Sequence, residues 1–180
     1  KKAEGAKAAH EATLLSKGVP AYTTSPGWLG YSDEKMLALT QKALDDGFGL
    51  IKYKCGQSLD DDRRRLAKVR ELVGPDFPIA IDANQVWDVN NAISWINQLK
   101  EFNLYWVEEP TSPGDILGHS TIAAAVAPTR IATGEMASSR IVFKQLLQSK
   151  GFSILFSPKK LFYRVAFYLF LNRWKTFLRR

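Results

Sequence analysis

The sequence of 180 residues is poor in cysteine and histidine, and it has no long apolar run. Its single cysteine, Cys55, cannot form an internal disulfide, so a disulfide-stabilised scaffold is excluded and a reducing, intracellular setting is expected. No stretch of 18 apolar residues exists, which argues against a membrane-spanning helix. The polar start at residues 1–5 lacks the apolar core of a secretion signal.

The net charge of +7 comes entirely from the last 29 residues. Residues 152–180 hold seven basic and no acidic side chains, whereas residues 1–151 hold 18 of each. A neutral body argues against a nucleic-acid partner, because such a partner requires a basic surface on the domain itself. The same tail carries nine aromatic residues, so it differs from the body in composition as well as in charge.

Short apolar runs alternate with amphipathic segments through the body of the chain. Strands are predicted at residues 20–24, 50–54, 78–82, 105–108 and 130–135. Helices are predicted from Ser32 to Gly47, from Asp60 to Gly74, from Asp88 to about Leu99, near residues 121–127, and from Ser138 to Gly151. Five consecutive βα units of this kind indicate an α/β fold with a parallel sheet and helices outside it.

The two ends of the chain depart from this alternation. Residues 1–18 are predicted to form an Ala-rich helix or a frayed lead-in, residues 152–156 a sixth strand, and residues 161–178 a basic amphipathic helix. A complete eight-stranded barrel usually needs about 250 residues. The prediction is therefore an incomplete parallel (β/α) barrel over residues 19–151, between a lead-in at 1–18 and a divergent tail at 152–180.

Three carboxylates lie at the ends of successive apolar runs. Asp82, Glu108 and Glu135 are separated by 26 and 27 residues, which is about the length of one strand, helix and return loop. They are therefore expected to converge at the mouth formed by the carboxyl ends of the strands, where barrel enzymes keep their chemistry. Three hard oxygen ligands suit a divalent ion of the Mg²⁺ type.

Lys54 ends the preceding run, 28 residues before Asp82, and suits proton abstraction beside such an ion. Since side chains alternate along a strand, Lys52 and Lys54 are expected to face the mouth together. Repulsion between the two ammonium groups is expected to lower the pKa of one lysine toward that of a useful base. A Lys-x-Lys pair alone is more typical of a solvated edge strand, and the in-phase carboxylates favour the site instead.

Residues beside the carboxylates extend this predicted site. Asn84 is expected to face the same mouth as Asp82, although Asp-x-Asn alone is more typical of a turn. Glu108 and Glu109 should point to opposite faces, so only one can bind the metal directly. Spacing favours Glu108, with Glu109 behind it. Gly134, before Glu135, would permit a close backbone approach.

The histidines and the cysteine do not suggest a second chemistry. His10 lies in the polar lead-in, and His119 lies in a predicted loop before an Ala-rich helix, where a structural or helix-terminal role is expected. Cys55 has no histidine partner nearby in the sequence and is expected to be a buried free thiol. The predicted site therefore depends on lysine, asparagine and carboxylate groups.

The motifs that hold these residues resemble the enolase superfamily, in its mandelate racemase branch. They are Ile-Lys-Tyr-Lys at 51–54, Ile-Asp-Ala-Asn-Gln at 81–85, Trp-Val-Glu-Glu-Pro at 106–110 and Ala-Thr-Gly-Glu at 132–135. Residues 22–25 with 28–31, and 110–113 with 115–119, resemble the L-fuconate dehydratase subgroup, which includes mitochondrial members. The resemblance runs from about Val19 to Lys150.

This resemblance implies specific roles for the site residues. It implies that Asp82, Glu108 and Glu135 hold Mg²⁺, and that Lys54 exchanges the proton α to a substrate carboxylate. It also implies that Lys52, Asn84 and Glu135 contact the substrate. The implied reaction is dehydration of a sugar acid such as L-fuconate, in carbohydrate-acid catabolism, and the implied location is mitochondrial.

The chain also departs from the family pattern. Family members have an N-terminal capping domain and a further histidine that serves as the second acid and base, and neither His10 nor His119 matches that histidine. The chain is therefore expected to be a truncated form with weak or no activity. A non-catalytic fragment whose basic tail binds a membrane surface or a partner is the alternative. A metal-free Schiff-base enzyme using Lys54 is a third reading, and open sheet edges would favour oligomerisation.

Overall fold

A six-stranded parallel sheet forms the centre of the structure, a computed structural model that describes residues 2–17, 21–149 and 152–155. The strands are β1 (Thr23–Gly27), β2 (Ile51–Lys54), β3 (Ile79–Asp82), β4 (Trp106–Glu108), β5 (Ile131–Thr133) and β6 (Ile154–Leu155). Their order across the sheet is their order in the chain. A sequential parallel sheet with a helix in each crossover is the arrangement of a (β/α) barrel, so the predicted fold class is confirmed.

Five of the six described α-helices connect consecutive strands, and side-chain caps start these five. The six helices are α1 (Lys2–Lys17), α2 (Asp33–Asp45), α3 (Leu59–Val73), α4 (Val89–Gln98), α5 (Ile116–Val126) and α6 (Arg140–Ser149). The side chains of Ser32, Ser58, Asp88 and Asp115 each accept a hydrogen bond from a backbone N–H three residues later. These caps satisfy donors that the first helical turn leaves without a partner.

Several predicted boundaries are wrong by a few residues. The first strand begins at Thr23 rather than at residue 20, because its first ladder partner is Ile51. Helix α3 begins behind Ser58 rather than at Asp60, since the Ser58 hydroxyl supplies the cap. Helix α6 starts behind Ser139 rather than Ser138, since the Ser139 hydroxyl accepts the Val142 N–H at 3.2 Å.

The start of α5 is the largest error. The Asp115 carboxylate accepts the Gly118 N–H at 2.8 Å, which begins the helix five residues before the predicted Ala-rich segment. His119 therefore lies in the first turns of α5 rather than in a loop. The helix is apolar nearly all round, so its sequence has no amphipathic period to mark its start.

The two faces of the sheet bury different side chains. The face toward the helices is apolar and packs Ile51, Ile79, Ile81, Val107 and Ile131 into the main hydrophobic core. The opposite face has a small cluster of Ala80, Trp106 and Ala132, together with buried lysine and carboxylate side chains. Alternation along each strand produces this division.

The outer segments agree with the prediction where the structure describes them. Residues 2–17 are helical, and residues 154–155 pair with β5 as a sixth strand. The predicted helix at 161–178 lies outside the described residues. In the part of the chain that is described, no helix is long and apolar enough to cross a membrane. Cys55 is a buried free thiol, as expected.

Candidate active site

The carboxyl ends of β2, β3 and β4 align the predicted catalytic side chains in one row. Lys54 pairs in register with Asp82, and Asp82 pairs with Glu108. Residues in register on adjacent parallel strands present their side chains on the same face. The sheet thus carries one lysine and two carboxylates across three neighbouring strands, on the face away from the helices.

These side chains form one ionic network. The Lys52 Nζ lies 2.6 Å from Glu108 Oε2 and 3.0 Å from Asp82 Oδ2. The Lys54 Nζ lies 2.7 Å from Asp82 Oδ2 and donates a hydrogen bond to Asn84 Oδ1 at 2.6 Å. Five predicted site residues are therefore in direct contact: the ammonium groups of Lys52 and Lys54 bind the side-chain oxygens of Asp82, Asn84 and Glu108.

Burial differs sharply along this network. The Lys52 side chain is 1% exposed and the Lys54 side chain is 11% exposed, while those of Asp82 and Glu108 are almost fully buried. Buried charges are tolerated only where they are paired, because desolvation costs several kcal/mol per ion. The Lys52 ammonium is thus shielded from solvent and paired with carboxylates, whereas the Lys54 ammonium has access to the mouth.

The network shifts the ionisation of its members. Burial disfavours the charged form of Lys52, but the carboxylates of Glu108 and Asp82 outweigh it, so the pKa of Lys52 lies above its ordinary value. Burial raises the pKa of Glu108 to about 7 against the opposing charge of Lys52. Burial alone would also raise the pKa of Asp82, but Lys52 and Lys54 reverse the direction and it lies below its usual range.

The expected lowering of one lysine's pKa by like-charge repulsion does not occur at Lys52, whose pKa is raised. Its ammonium contacts two buried carboxylates directly, and their attraction outweighs the effect of burial, which alone would lower the pKa. The sequence showed that Lys52 and Lys54 share a face, but the pKa depended on contacts formed across two further strands.

Left-handed backbone conformations follow the site strands. Asn84 and Gln85 have φ values of 48° and 68°, Glu109 has 44°, and Gly134 has 117°. For residues with a side chain this conformation costs on the order of 1–2 kcal/mol each. Residues with a side chain adopt it after β3 and β4, and a glycine adopts it after β5, all at the same end of the sheet. Strained residues clustered in this way are typical of functional sites.

Glu109 and Gln85 form a layer next to the network. Gln85 Nε2 donates to Glu109 Oε2 at 2.9 Å, and the Gln85 N–H donates to the Glu109 carbonyl at 2.8 Å. Glu109 is buried, and its left-handed φ of 44° follows directly after the end of β4; its place behind Glu108 stays a prediction. Sequence reasoning missed Gln85, although its place directly after Asn84 could have indicated it.

Aromatic side chains also enclose the lysines. The Lys52 Nζ lies 5.4 Å from the centre of the Tyr22 ring, and the Lys54 Nζ lies 5.7 Å from that of Trp28. Trp106 Nε1 donates to Glu108 Oε2 at 3.3 Å. Rings at these distances stabilise a cation through their electron-rich faces. Sequence reasoning missed Trp106 as a site residue, although its position two residues before Glu108 on the same strand could have indicated it.

Glu135 lies beside the network rather than within it. It is half-buried and follows Gly134 in the turn after β5. After burial, its charge contributes to the raised pKa values of Glu108 and Glu109, so its carboxylate lies within electrostatic range of theirs. Among the described residues, no three His, Cys, Asp or Glu side chains are close enough to hold a metal ion. Asp82 and Glu108 are instead joined through the Lys52 ammonium.

The oxygen donors at this mouth nevertheless suit a hard cation. Glu108 Oε1 and Glu109 Oε1 are buried and have no hydrogen-bond partner, a state that costs about 1–3 kcal/mol per group. A divalent cation that binds carboxylate oxygens would satisfy such an atom. The candidate ligands are Asp82, Glu108 and Glu135, of which Glu108 carries a free oxygen.

His119 and Cys55 lie apart from this chemistry. His119 is fully buried in α5, and its Nδ1 lies 2.7 Å from the Asp115 carbonyl oxygen, in agreement with a structural role. Cys55 is buried in the helix-facing core, and burial raises its pKa well above the ordinary value. Neither side chain joins the network of lysines and carboxylates.

Comparison with known proteins places this arrangement in a family. The family model described as "Enolase C-terminal domain-like" matches residues 35–158. Human mitochondrial enolase superfamily member 1 is 48% identical over 151 residues, which cover 83% of this chain and 34% of that protein. Its crystal structure has a TM-score of 0.80 over the same shares.

Two dehydratases are also similar. L-galactonate dehydratase from Hypocrea jecorina is 47% identical over 148 residues, 80% of this chain and 33% of that protein. The crystal structure of L-talarate/galactarate dehydratase from Salmonella typhimurium LT2, liganded with Mg and L-lyxarohydroxamate, has a TM-score of 0.72 and 40% identity, covering 76% of this chain and 35% of that one. This chain thus spans about a third of the length of these relatives. Fold, site and similarity together show that the chain belongs to the enolase C-terminal domain-like family, in the mandelate racemase branch of the enolase superfamily.

Proposed function

We propose that this chain carries the metal-and-base part of a sugar-acid dehydratase site, which removes the proton α to a substrate carboxylate. The observation that carries the proposal is the buried network of two lysines and two carboxylates at the carboxyl ends of β2, β3 and β4. Relatives named as sugar-acid dehydratases support the substrate class, and one of them was crystallised with Mg. L-fuconate is the substrate proposed for testing, and the similarity to a human mitochondrial relative is the basis for proposing a mitochondrial location.

Lys54 is the proposed base because it is the network lysine with access to the mouth. Its Nζ is oriented by Asp82 and Asn84, at 2.7 Å and 2.6 Å. A base held at fixed distances loses little freedom when it meets the substrate proton, and general base catalysis contributes about 10²- to 10⁴-fold. Asn84, after β3, and Glu135, after β5, are the further residues proposed to contact the substrate.

Lys52 has a different proposed role. Its raised pKa keeps it protonated, so it supplies fixed positive charge near the substrate carboxylate rather than accepting a proton. Asp82, Glu108 and Glu135 would hold Mg²⁺, which when bound would act as a Lewis acid on the substrate carboxylate. The unpartnered Glu108 Oε1 is the atom that most directly supports this assignment.

Dehydration also requires an acid to protonate the departing β-hydroxyl. His119, the histidine with a described side chain, is fully buried in α5 and cannot reach the mouth. We therefore propose that the isolated chain exchanges the α-proton more readily than it completes the elimination. The chemistry would stop after the step that Lys54 can perform.

Proton exchange and elimination can be measured separately. The 180-residue chain is incubated in D₂O with L-fuconate and Mg²⁺, loss of the α-proton signal is followed by ¹H NMR, and keto-acid formation is assayed in parallel. We expect exchange above a protein-free control, its loss with EDTA, and keto-acid formation near background. No exchange in the presence of Mg²⁺ would overturn the proposal. Metal-independent exchange with borohydride trapping of Lys54 would favour a Schiff-base enzyme instead.

The metal assignment has its own test, independent of turnover. Isothermal titration calorimetry with Mg²⁺ should detect binding by the unmodified chain and at least tenfold weaker binding by Glu108→Gln. The matched control is Glu101→Gln, because Glu101 lies exposed before β4 at the opposite end of the sheet. Equal binding by both variants would remove Glu108 from the proposed ligand set.

A further inference from the structure

The guanidinium of Arg65 joins the backbone segments that carry the proposed base and its neighbouring aromatic ring. Arg65 lies on α3 and is buried. Its Nη1 donates to the Lys54 carbonyl at 2.7 Å, and its Nη2 donates to the Gly27 and Trp28 carbonyls at 3.1 Å and 3.3 Å. One side chain thus links the carboxyl ends of β1 and β2.

The sheet needs this link because its backbone ladder is irregular there. Thr23 pairs with Ile51 and Gly27 with Tyr53, so β1 advances by four residues while β2 advances by two. Pro26 lies within the irregular stretch and has no N–H to donate. A side chain at Gly27 would collide with the Lys52 carbonyl oxygen, which shows how closely the two backbones approach. Arg65 supplies donors where the ladder between these strands is incomplete.

A buried carboxylate supports Arg65 from behind. Asp62, one turn earlier on α3, lies 4.0 Å from Arg65 Nη1. Its Oδ2 accepts the Gly56 N–H at 2.8 Å and the Trp95 Nε1–H at 3.1 Å. The segment that leaves β2 is therefore held at two points, by Arg65 at Lys54 and by Asp62 at Gly56. Planar guanidinium donors that are locked in this way fix geometry more precisely than a flexible ammonium.

We propose that Arg65 is a positioning residue that sets Lys54 and Trp28 relative to each other through their backbone carbonyls. Arg65 touches neither the reacting atoms nor the carboxylates of the network. Its effect reaches Lys54 Nζ, which lies 5.7 Å from the centre of the half-exposed Trp28 ring. Trp28 thereby forms one wall beside the base. The chemical consequence rests on the function proposed above, whereas the placement of Trp28 does not.

Arg70 provides a matched control on the same helix. It also donates to backbone carbonyls, those of Gly74, Phe77, Phe102 and Asn103. These carbonyls lie before β3 and β4, at the end of the sheet opposite the site. Arg65→Lys and Arg70→Lys therefore make the same chemical change in two arginines that donate to backbone carbonyls, the buried one at the site and the half-buried one away from it.

The first measurement does not require activity. The chain contains five tryptophans, so 5-fluorotryptophan labelling gives up to five ¹⁹F resonances, and Trp28→Phe assigns that of Trp28. We expect Arg65→Lys to shift or broaden the Trp28 resonance, and Arg70→Lys to leave it in place. Circular dichroism is used to check that both variants are folded. If Arg65→Lys does not fold, Arg65→Gln is measured in its place. An unchanged Trp28 resonance in a folded Arg65 variant would overturn the proposal.

The second measurement tests the consequence for the base. In the α-proton exchange assay, Arg65→Lys should lower kcat by about 10- to 100-fold with little change in KM, because misplacement of a base affects the chemical step more than substrate binding. Arg70→Lys should retain the exchange rate at a temperature where both are folded. A normal rate in Arg65→Lys would overturn the link to Lys54. No exchange in the unmodified chain would instead refute the proposed function and leave the Trp28 result to decide the placement.

Discussion

The two faces of the sheet use the same four central strands for opposite purposes. Toward the helices, β2 to β5 present apolar residues that fill the main core. On the other face three of these strands, β2 to β4, present Lys52, Lys54, Asp82 and Glu108 beside the small cluster around Trp106. The apolar face gains free energy from burial, whereas the charged face must balance desolvation against ion pairing. The difference teaches that alternate residues of one strand serve different purposes: those facing the helices stabilise the fold, and those facing away carry the candidate chemistry.

The largest effect should come from removing the base on the charged face. Lys54→Ala should lower α-proton exchange by about 10²- to 10⁴-fold, since the general base is lost, as followed by ¹H NMR in D₂O. The variant should still fold, because Lys54 is partly exposed and Asp82 retains its ion pair with Lys52. The control is Lys68→Ala, an exposed lysine on α3. Equal exchange by Lys54→Ala and the unmodified chain would contradict the role of Lys54.

The buried lysine should matter more for stability than for proton transfer. Lys52→Met leaves the carboxylates of Asp82 and Glu108 without their shared ammonium, and breaking a buried pair typically costs about 3–5 kcal/mol of unfolding free energy. Urea denaturation gives the measurement. Lys42→Met is the matched control, because its ion pair with Asp46 is exposed and should contribute at most about 1 kcal/mol. A similar loss of unfolding free energy in both variants would show that the Lys52 ion pairs contribute no more than an exposed pair.

A change on the apolar face should alter stability alone. Ile81 is fully buried on the face of β3 that packs against the helices, and Ile81→Ala should cost about 2–5 kcal/mol through lost burial and a cavity. At a temperature where the variant is folded, its Mg²⁺ affinity should match that of the unmodified chain. Ile141→Ala, at an exposed residue of α6, is the control and should change stability little. A large loss of Mg²⁺ affinity in folded Ile81→Ala would contradict the separation of the two faces.

The smallest effect should be a pH dependence from His119. Burial lowers the pKa of His119 below its ordinary value of 6.5, so the unfolded state binds a proton more readily than the folded state. Its neutral form therefore contributes stability above pH 6.5 that is lost as the pH falls below that value. The unfolding free energy of the unmodified chain and of His119→Asn is measured by denaturation between about pH 5 and 8, a range that brackets this pKa. The unfolding free energy should change less steeply with pH in the variant. An identical slope would assign the dependence to other groups.

The accuracy of the sequence predictions followed from how local each signal was. The start of α2 was predicted correctly because Ser32 both precedes the helix and caps it. The start of α5 was missed because Asp115 stands before an apolar segment that has no amphipathic period. The contact of Lys54 with Asp82 followed from spacing and strand parity alone. The contact of Gln85 with Glu109 did not, because both residues have left-handed φ values that strand parity does not predict.

Arg65 shows what sequence reasoning could not reach. It ends a run of three arginines on α3, at residues 63–65, which is typical of a solvated helix face. Arg63 and Arg64 are indeed paired at the surface, whereas Arg65 turns inward to three carbonyls. Adjacent positions on a helix lie about 100° apart, so only the packing of α3 against β1 and β2 decides which arginine is buried.

The sequence by itself determined the alternation of strands and helices, the repeat that brings Lys54, Asp82 and Glu108 to one end of the sheet, and the family. These follow from local periodicity and from the fixed geometry of parallel strands. Only the tertiary structure decided the ionisation of Lys52 and Glu108, the place of Glu135 beside rather than inside the network, and the inward turn of Arg65. Each of those depends on distances and burial across several strands, and electrostatic energies in a buried site change steeply with both.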